Sequence, residues 1–319
     1  MKKSALLGIG AYLPKKVLTN SDVALFVDTN DEWIVRRTGI KERRIVQDGE
    51  TTSDMAVLAA KDALLDACIA ESDVDLIIVA TTTPDKTFPS CATLVQSQLQ
   101  CRNAFAFDIQ AVCSGFVYAI SVADNFIKSG QVKTALIIGA ETMSKIVDWK
   151  DRSTCILFGD GAGAIVINDC GNVNTGIIST LLRSDGTLND LLFTNGGVAS
   201  TGTAGIIQMK GTMVFEHAIE KLISIISDIL FYNSICIDEI DLFIPHQANA
   251  RIIDLVAKKL GISHEKIVMS IDKHANTSAA SIPLALYDAK NSGRLKLGSL
   301  ILLATIGGGL TWGACLIRL

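Results

Sequence analysis

Apolar residues in this chain follow two spacings that recur in a fixed order. Short unbroken runs such as Leu76-Ile77-Ile78 and Ala135-Leu136-Ile137-Ile138 predict fully buried strands. Stretches with apolar residues three and four apart predict helices. One runs over 53–68 through Met55, Ala56, Leu58, Ala59, Leu64 and Leu65; another over 214–230 through Phe215, Ala218, Leu222, Ile225, Ile226 and Ile229.

The second half repeats the order of the first. Leu7-Gly8-Ile9 is answered 168 positions later by Thr175-Gly176-Ile177-Ile178, and Asp75-Leu76-Ile77-Ile78 is answered 166 later by Asp241-Leu242-Phe243-Ile244. Phe107-Asp108-Ile109 and Ser270-Ile271-Asp272 each lead through a polar loop into a helix, expected to begin near Ser114 and Ser278. The run 135–138 pairs with Ile301-Leu302-Leu303-Ala304, and 163–167 with 313–317. An ordered set of matches implies two similar units, 1–172 and 173–319, meeting in the loop Asp169-Cys170-Gly171-Asn172. Alternating strands and helices with continuous apolar strands imply mixed, mainly parallel sheets covered by helices.

Two segments imitate membrane signals. Met1-Lys2-Lys3 and the apolar run after it resemble a signal peptide, but no small-residue cleavage site follows, and the run has an interior counterpart that is no targeting signal. The segment 299–317 carries no charge, yet Gly307-Gly308-Gly309 divides it; two buried strands and a glycine turn fit it better than a span.

Composition agrees with a large globular core: 49% hydrophobic and 19% charged residues exclude a disordered chain. With 29 Lys+Arg against 33 Asp+Glu, the net charge of -4 argues against bulk binding to nucleic acid or an anionic membrane. Eight cysteines include no Cys-x-x-Cys pair, so a zinc ribbon or thioredoxin-like motif is excluded, and reduced cytosolic thiols are the simpler reading. Histidines and cysteines lack metal-ligand spacing, so no metal site is expected.

Three polar residues fall where strands end, the usual ligand position of open α/β sheets. Cys113 follows the strand near 104–109 and opens a helix, whose N-terminus favours a thiolate; its plain alternative is a buried structural cysteine. His246 sits just past an apolar strand closed by Pro245, suited to proton transfer or hydrogen-bond donation, or merely to satisfying local backbone. Asn276 lies in the second-half counterpart of the Cys113 loop; alone it reads as a turn former, but an approximate two-fold brings the two loops together. The 158–163 glycine run enters a strand rather than a helix, so it is no phosphate cradle. Gly307-Gly308-Gly309 is either a tight hairpin turn or a source of N–H groups for an oxyanion hole. A helix from about Ala250 carries Arg251, Lys258 and Lys259, the one basic cluster beside a candidate catalytic residue.

These segments closely resemble the β-ketoacyl-acyl-carrier-protein synthase III family of the thiolase-like superfamily. The motifs that carry the resemblance span the chain: DEWIVRRTGI (31–40), VCSGF (112–116), DRSTCILFGDGAGA (151–164), IPHQANARI (244–252), HANTSAAS (274–281) and GGGLTWG (307–313). The resemblance implies an α/β thiolase-like fold, two pseudo-symmetric halves in α/β/α/β/α layers. It implies a ping-pong decarboxylative Claisen condensation of an acyl-CoA primer, most simply acetyl-CoA, with malonyl-acyl-carrier protein through an acyl-Cys113 intermediate. His246 and Asn276 complete the catalytic trio, and the N–H groups of Cys113 and Gly308 form the oxyanion hole. Coenzyme A contacts are implied for Trp33, Arg37, Arg152, Asn249, Thr29 and Gly211, with Trp33 and Arg152 on either face of the adenine. An acyl pocket is implied for Phe88, Phe215, Met209 and Leu191, with Phe88 reaching across a homodimer. Gln247, Arg251, Lys258 and Lys259 would receive the carrier protein. No cofactor beyond the acyl-CoA substrate and a cytoplasmic location are implied. Val112 and Ser114 stand where alanines are common, and Ala275 where glycine often stands, which leaves primer choice open. Competing readings are a condensing enzyme with a longer or branched primer, a plant-type polyketide synthase, a Cys-His-Asn hydrolase and a non-catalytic scaffold.

Overall fold

The computed structural model describes residues 4–169, 171 and 175–319. The expected junction at 172/173 and the residues Met1, Lys2 and Lys3 lie outside the described residues. The strands of the first half are β1 (Ser4–Tyr12), β2 (Lys16–Thr19), β3 (Glu42–Ile45), β4 (Leu76–Ala80), β5 (Phe105–Ile109), β6 (Thr134–Thr142) and β7 (Asp160–Asp169). Those of the second are β8 (Gly176–Ser184), β9 (Leu192–Thr194), β10 (Ile207–Met209), β11 (Leu242–Pro245), β12 (Leu300–Gly307) and β13 (Thr311–Arg318). The helices are α1 (Asn20–Val23), α2 (Asp31–Thr38), α3 (Thr52–Ala67), α4 (Cys91–Leu99), α5 (Gly115–Lys128), α6 (Arg152–Cys155), α7 (Gly211–Asn233), α8 (Ala250–Leu260), α9 (Ile271–His274) and α10 (Ser281–Asn291).

Of the two large sheets, one runs β1-β7-β6-β4-β5 and the other β8-β13-β12-β11. The pairings match strand for strand: β1 and β8 lie antiparallel to β7 and β13, which lie antiparallel to β6 and β12, which run parallel to β4 and β11. Even the polar clasp at the strand start recurs. Asp75 accepts from the Thr134 N–H at 2.9 Å, and Asp241 from the Leu300 N–H at 2.7 Å. The segment 299–317 forms the antiparallel pair β12–β13, as its glycine break predicts.

Two-residue periodicity divides the strands between layers. Leu76 and Ile78 face a core shared with α5 and α10, together with Leu242, Ile244, Ile301 and Leu303 of the other sheet; that core lies between the two sheets. Ile77 and Val79 face α3 and α4 on one outer side, while Phe243 and Leu302 face α7 and α8 on the other. The layers are therefore α/β/α/β/α. Helix α3 starts where Thr51 and Asp54 form a reciprocal capping box, satisfying donors that the first turn leaves open.

The expected strand at Ser270-Ile271-Asp272 is absent. Ile271 begins the short helix α9, and beside β11 only one parallel bridge, Phe243 to Ile267, stands where β5 lies beside β4. The second sheet ends early because the chain turns there to carry the loop at Asn276. Among the described residues no helix is long and apolar enough to cross a membrane.

Candidate active site

Cys113 lies in a 3₁₀ turn, Val112–Ser114, that precedes α5. Its pseudo-symmetric partner is the turn Ser278–Ala280 before α10. Hydroxyls from the β12–β13 hairpin hold the cysteine turn. Thr305 donates to the Cys113 carbonyl at 2.9 Å, Thr311 to the Ala111 carbonyl at 2.9 Å, and Ser114 donates to the Thr311 carbonyl at 2.8 Å. Gly307 permits this approach, since a Cβ there would stand 2.8 Å from the Cys113 nitrogen.

The predicted trio meets on one short segment, 276–281. The turn that carries Cys113 packs against the turn that opens at Ser278, and the Ser278 hydroxyl favours the thiolate. Asn276 accepts from the Ser278 N–H through Oδ1 at 2.9 Å, which leaves its Nδ2 to donate elsewhere. His246, just past β11, meets the Ser281 hydroxyl through Nδ1 at 2.5 Å. The Gln247 N–H points at the same oxygen, 3.4 Å away, and the Ser281 hydroxyl is free to donate its proton to Nδ1. With Ser281 donating to Nδ1, the ring's own proton sits on Nε2 and makes it a donor. Burial lowers the His246 pKa to about 3, so the ring is neutral. Two neutral N–H donors, one from an amide and one from an imidazole, suit the stabilisation of a developing oxyanion.

Cys113 differs from expectation in one respect. The helix start predicts a lowered thiol pKa, but burial pushes the Cys113 thiol up to about 12, with the Glu141 charge adding to it; desolvation outweighs the Ser278 and backbone contacts.

A cavity of about 1030 Å³ opens beside Cys113, walled by Thr82, Gln110, Phe158, Leu192 and Ile207 among others. Phe88, Phe215, Met209 and Leu191 are not on this wall. Phe88 is 84% exposed, Leu191 packs in the core of the second half, and Phe215 lies under the Arg251 guanidinium at 5.2 Å. Their chain neighbours Thr87 and Leu192 line the cavity instead. Met209 lies with its terminal methyl near Gly211, where a Cβ would meet it at 3.5 Å.

Trp33 is flanked by both expected arginines: Arg152 at 5.0 Å and Arg37 at 5.5 Å from the ring centroid. Arg152 also donates to the Asp28 carbonyl at 2.8 Å, next to Thr29, whose buried hydroxyl has no partner. Asn249 caps α8 through Arg251 and donates to the Arg37 carbonyl at 3.2 Å. It thus ties α8 to the helix carrying Trp33. Lys258 and Lys259 end α8.

Gln247 is a correction. It is 1% exposed, and its amide donates to the Pro245 and Val268 carbonyls and accepts from the Ser270 and Ile271 N–H groups. A side chain so enclosed fixes the loop after β11 and presents nothing to a carrier protein. The residues that sequence reading missed are the polar supports Ser278, Ser281, Thr305 and Glu141. Ser278 and Ser281 stand inside the HANTSAAS motif, where small hydroxyl residues at a helix start were the available signal.

Paired α/β halves with a cysteine turn from one and two neutral donors from the other define a thiolase-fold acyltransferase. Comparison with known proteins names the branch. The model of 3-oxoacyl-[acyl-carrier-protein] synthase III matches residues 107–186, and its C-terminal counterpart matches 230–319. The chain is 66% identical to β-ketoacyl-[acyl-carrier-protein] synthase III of Ehrlichia canis, with all of both chains covered. Among solved structures, 3-oxoacyl-[acyl-carrier-protein] synthase III from Aquifex aeolicus superposes with a TM-score of 0.95 at 50% identity, covering 99% of this chain and 100% of that one. The Pseudomonas aeruginosa counterpart gives 0.94 at 37%, covering 99% and 98%. The chain belongs to the 3-oxoacyl-[acyl-carrier-protein] synthase III family.

Proposed function

We propose that this chain condenses acetyl-CoA with malonyl-acyl-carrier protein to give acetoacetyl-acyl-carrier protein, using a cysteine from unit 1–172 and two donors from unit 173–319. The observation that carries the reading is the meeting of Cys113, Asn276 and His246 on the segment 276–281. Cys113 attacks the acyl-CoA carbonyl, and the N–H groups of Cys113 and Gly308 hold the oxyanion while CoA leaves as its thiolate. Malonyl-carrier protein then binds. His246 Nε2–H and Asn276 Nδ2–H donate to its thioester oxygen as CO2 departs, and the carbanion attacks the acyl-Cys113 carbonyl. Neither donor needs to change protonation, so both serve throughout the cycle.

Trp33 and Arg152 part to admit the adenine between them, with Arg37, Asn249, Thr29 and Gly211 along the rest of the coenzyme. Arg251, Lys258 and Lys259 on α8 suit an acidic carrier protein. The enzyme works as a cytoplasmic homodimer in which the exposed Phe88 reaches the partner's pocket, and it needs no cofactor beyond its acyl-CoA substrate. The cavity beside Cys113 favours one second reading, a longer or branched primer.

Intact mass after incubation with a panel of acyl-CoA esters tests both. One acetyl group on the full chain, absent from Cys113→Ala and released as acetoacetyl-carrier protein on adding malonyl-carrier protein, is the expected result. Loading only by a longer or branched ester overturns the acetyl assignment. Hydrolysis without malonyl-carrier protein overturns the synthase reading.

A further inference from the structure

Glu141, near the end of β6, is wholly buried and has no part in the steps above. Donors meet both of its oxygens. Oε2 receives the Thr82 N–H at 3.0 Å and the Thr83 and Thr81 hydroxyls at 2.6 and 3.2 Å; Oε1 receives the Ser278 hydroxyl at 3.0 Å. The Thr83 and Thr81 oxygens already accept N–H groups, from Thr142 at 2.8 Å and Thr83 at 3.1 Å, so their protons turn toward the carboxyl. These donors favour the carboxylate form. Burial at the same time raises its proton affinity, which makes it a competent base.

Ser278 bonds this base, and its turn packs against the turn that carries the thiol. Its single hydroxyl proton bonds Glu141 when the sulfur is protonated, leaving the oxygen to accept from S–H. Once the thiolate forms, the hydroxyl is a donor to sulfur. With Ser281 donating to Nδ1 and the ring proton on Nε2, His246 offers no alternative acceptor. The Cys113 proton therefore needs another exit.

We propose that Glu141, acting only through the Ser278 hydroxyl, takes the proton of Cys113 as the sulfur attacks an acyl thioester and returns it when condensation frees the sulfur. The S–H bond breaks as a new Ser278 O–H bond forms, and the former hydroxyl proton bonds Glu141 Oε1. Departing CoA thiolate draws its proton from solvent. On collapse of the second tetrahedral intermediate the relay runs backward, so Glu141 ends each turnover as the carboxylate. The one proton consumed overall is the one on CoA. This rests on Cys113 being the acylated nucleophile.

The other groups around the pair leave the relay unopposed. Cys91 on α4 faces Glu141 as a thiol, its pKa raised by burial. Asp108 on β5 is turned to the Cys91 and Ala92 N–H groups, each at 2.7 Å. Asp160 on β7 is turned to Ser144 and Val46. His246 faces the site neutral.

Single-turnover acetyl transfer from acetyl-CoA to Cys113, read by intact mass from pH 6 to 10, is the test. For Glu141→Gln and Ser278→Ala we expect acylation about 100-fold slower near pH 7 than in the unaltered chain. The deficit should shrink about tenfold per pH unit as hydroxide ionises the thiol unaided, and Glu141→Asp should restore much of the rate. Equal rates and profiles in the variants overturn the proposal, as does a loss that is the same at every pH. Should Glu141→Gln fail to fold, Ser278→Ala decides alone, because it leaves the carboxylate's other donors in place. Failure of the unaltered chain to load acetyl would instead overturn the role given to Cys113, so the two failures are distinguishable.

Discussion

Val112 and Ser278, 166 positions apart, adopt the same left-handed backbone conformation, with φ of 50° and 49°. Neither is a glycine, and such angles persist in ordinary residues only where the surroundings enforce them. Each opens the 3₁₀ turn of its half, and each turn meets a glycine from a β-strand of the opposite half. A Cβ on Gly139 would lie 2.3 Å from the Ala279 carbonyl oxygen, and one on Gly307 would lie 2.8 Å from the Cys113 nitrogen. The pseudo-two-fold thus passes between two backbone contacts that tolerate no side chain.

Gly139→Ala should accordingly destabilise the chain by about 3 kcal/mol, the upper end of overpacking costs, because both sides of the clash are backbone. Gly186→Ala, where nothing lies within 4 Å, is the control. Denaturant midpoints check this; equal midpoints for the two variants would show that the turns do not pack as described.

Ala275 has φ 57° and ψ -156°, a region that a glycine occupies freely and an alanine only under strain. Ala275→Gly should raise stability by about 1 kcal/mol, against the usual loss for such a change. Ala119→Gly inside α5 should lower it by a similar amount. A lower melting temperature for Ala275→Gly than for the unaltered chain would refute the strain.

His246 gives the chain a pH dependence of definite sign. Its pKa is 6.5 in the unfolded chain and about 3 when folded. Between those values the unfolded chain binds a proton that the folded chain does not. Stability is therefore complete above pH 6.5 and falls on acidification, by roughly 1.4 kcal/mol per pH unit from this group. His246→Gln should flatten the pH 5 to pH 7 difference in urea midpoint. The condensation half-reaction itself should show no histidine titration between pH 5.5 and 8.

Ser281 supports that neutral tautomer, so Ser281→Ala frees Nδ1 and lets the ring proton occupy either nitrogen. Condensation should slow about tenfold, the cost of one lost orienting hydrogen bond, while acetyl loading of Cys113 keeps its rate. Equal loss in both half-reactions would remove the tautomer argument.

Much of this was legible in the chain's pattern, because strands buried on both faces are written as unbroken apolar runs and the duplication repeats them in order. What was not legible had other causes. The segment 270–272 is apolar at its centre like its counterpart 107–109, yet Ile271 opens the short helix α9, and only Ile267 bridges to the open edge of β11. Gln247 stands between His246 and Asn249 and shares their motif, but its amide is consumed by four backbone groups, which no spacing reveals. Glu141 ends an apolar run like many a solvated strand terminus. Only the fold brings Thr81, Thr82, Thr83 and Ser278 around it.

Arg43 links the two arms proposed to hold the coenzyme. It is fully buried with neutral partners: Asn20 Oδ1 at 3.0 Å and the Ile156 and Leu18 carbonyls at 2.9 and 3.3 Å. Burial lowers its pKa to about 10, which leaves it charged at neutral pH. Asn20 in turn donates to Asp31, at the start of the helix carrying Trp33, at 2.8 Å; Ile156 directly follows the helix carrying Arg152. Arg43→Met leaves those acceptors unsatisfied, loosening both faces of the adenine site while leaving the cysteine turn alone. The KM for acetyl-CoA should rise about tenfold, as expected from roughly 1.4 kcal/mol of lost positioning. Condensation of malonyl-carrier protein with pre-acetylated enzyme should be unaffected, and so should loading from a short thioester that lacks the nucleotide. If the short thioester loses as much as acetyl-CoA does, Arg43 acts on the fold as a whole and not on the coenzyme.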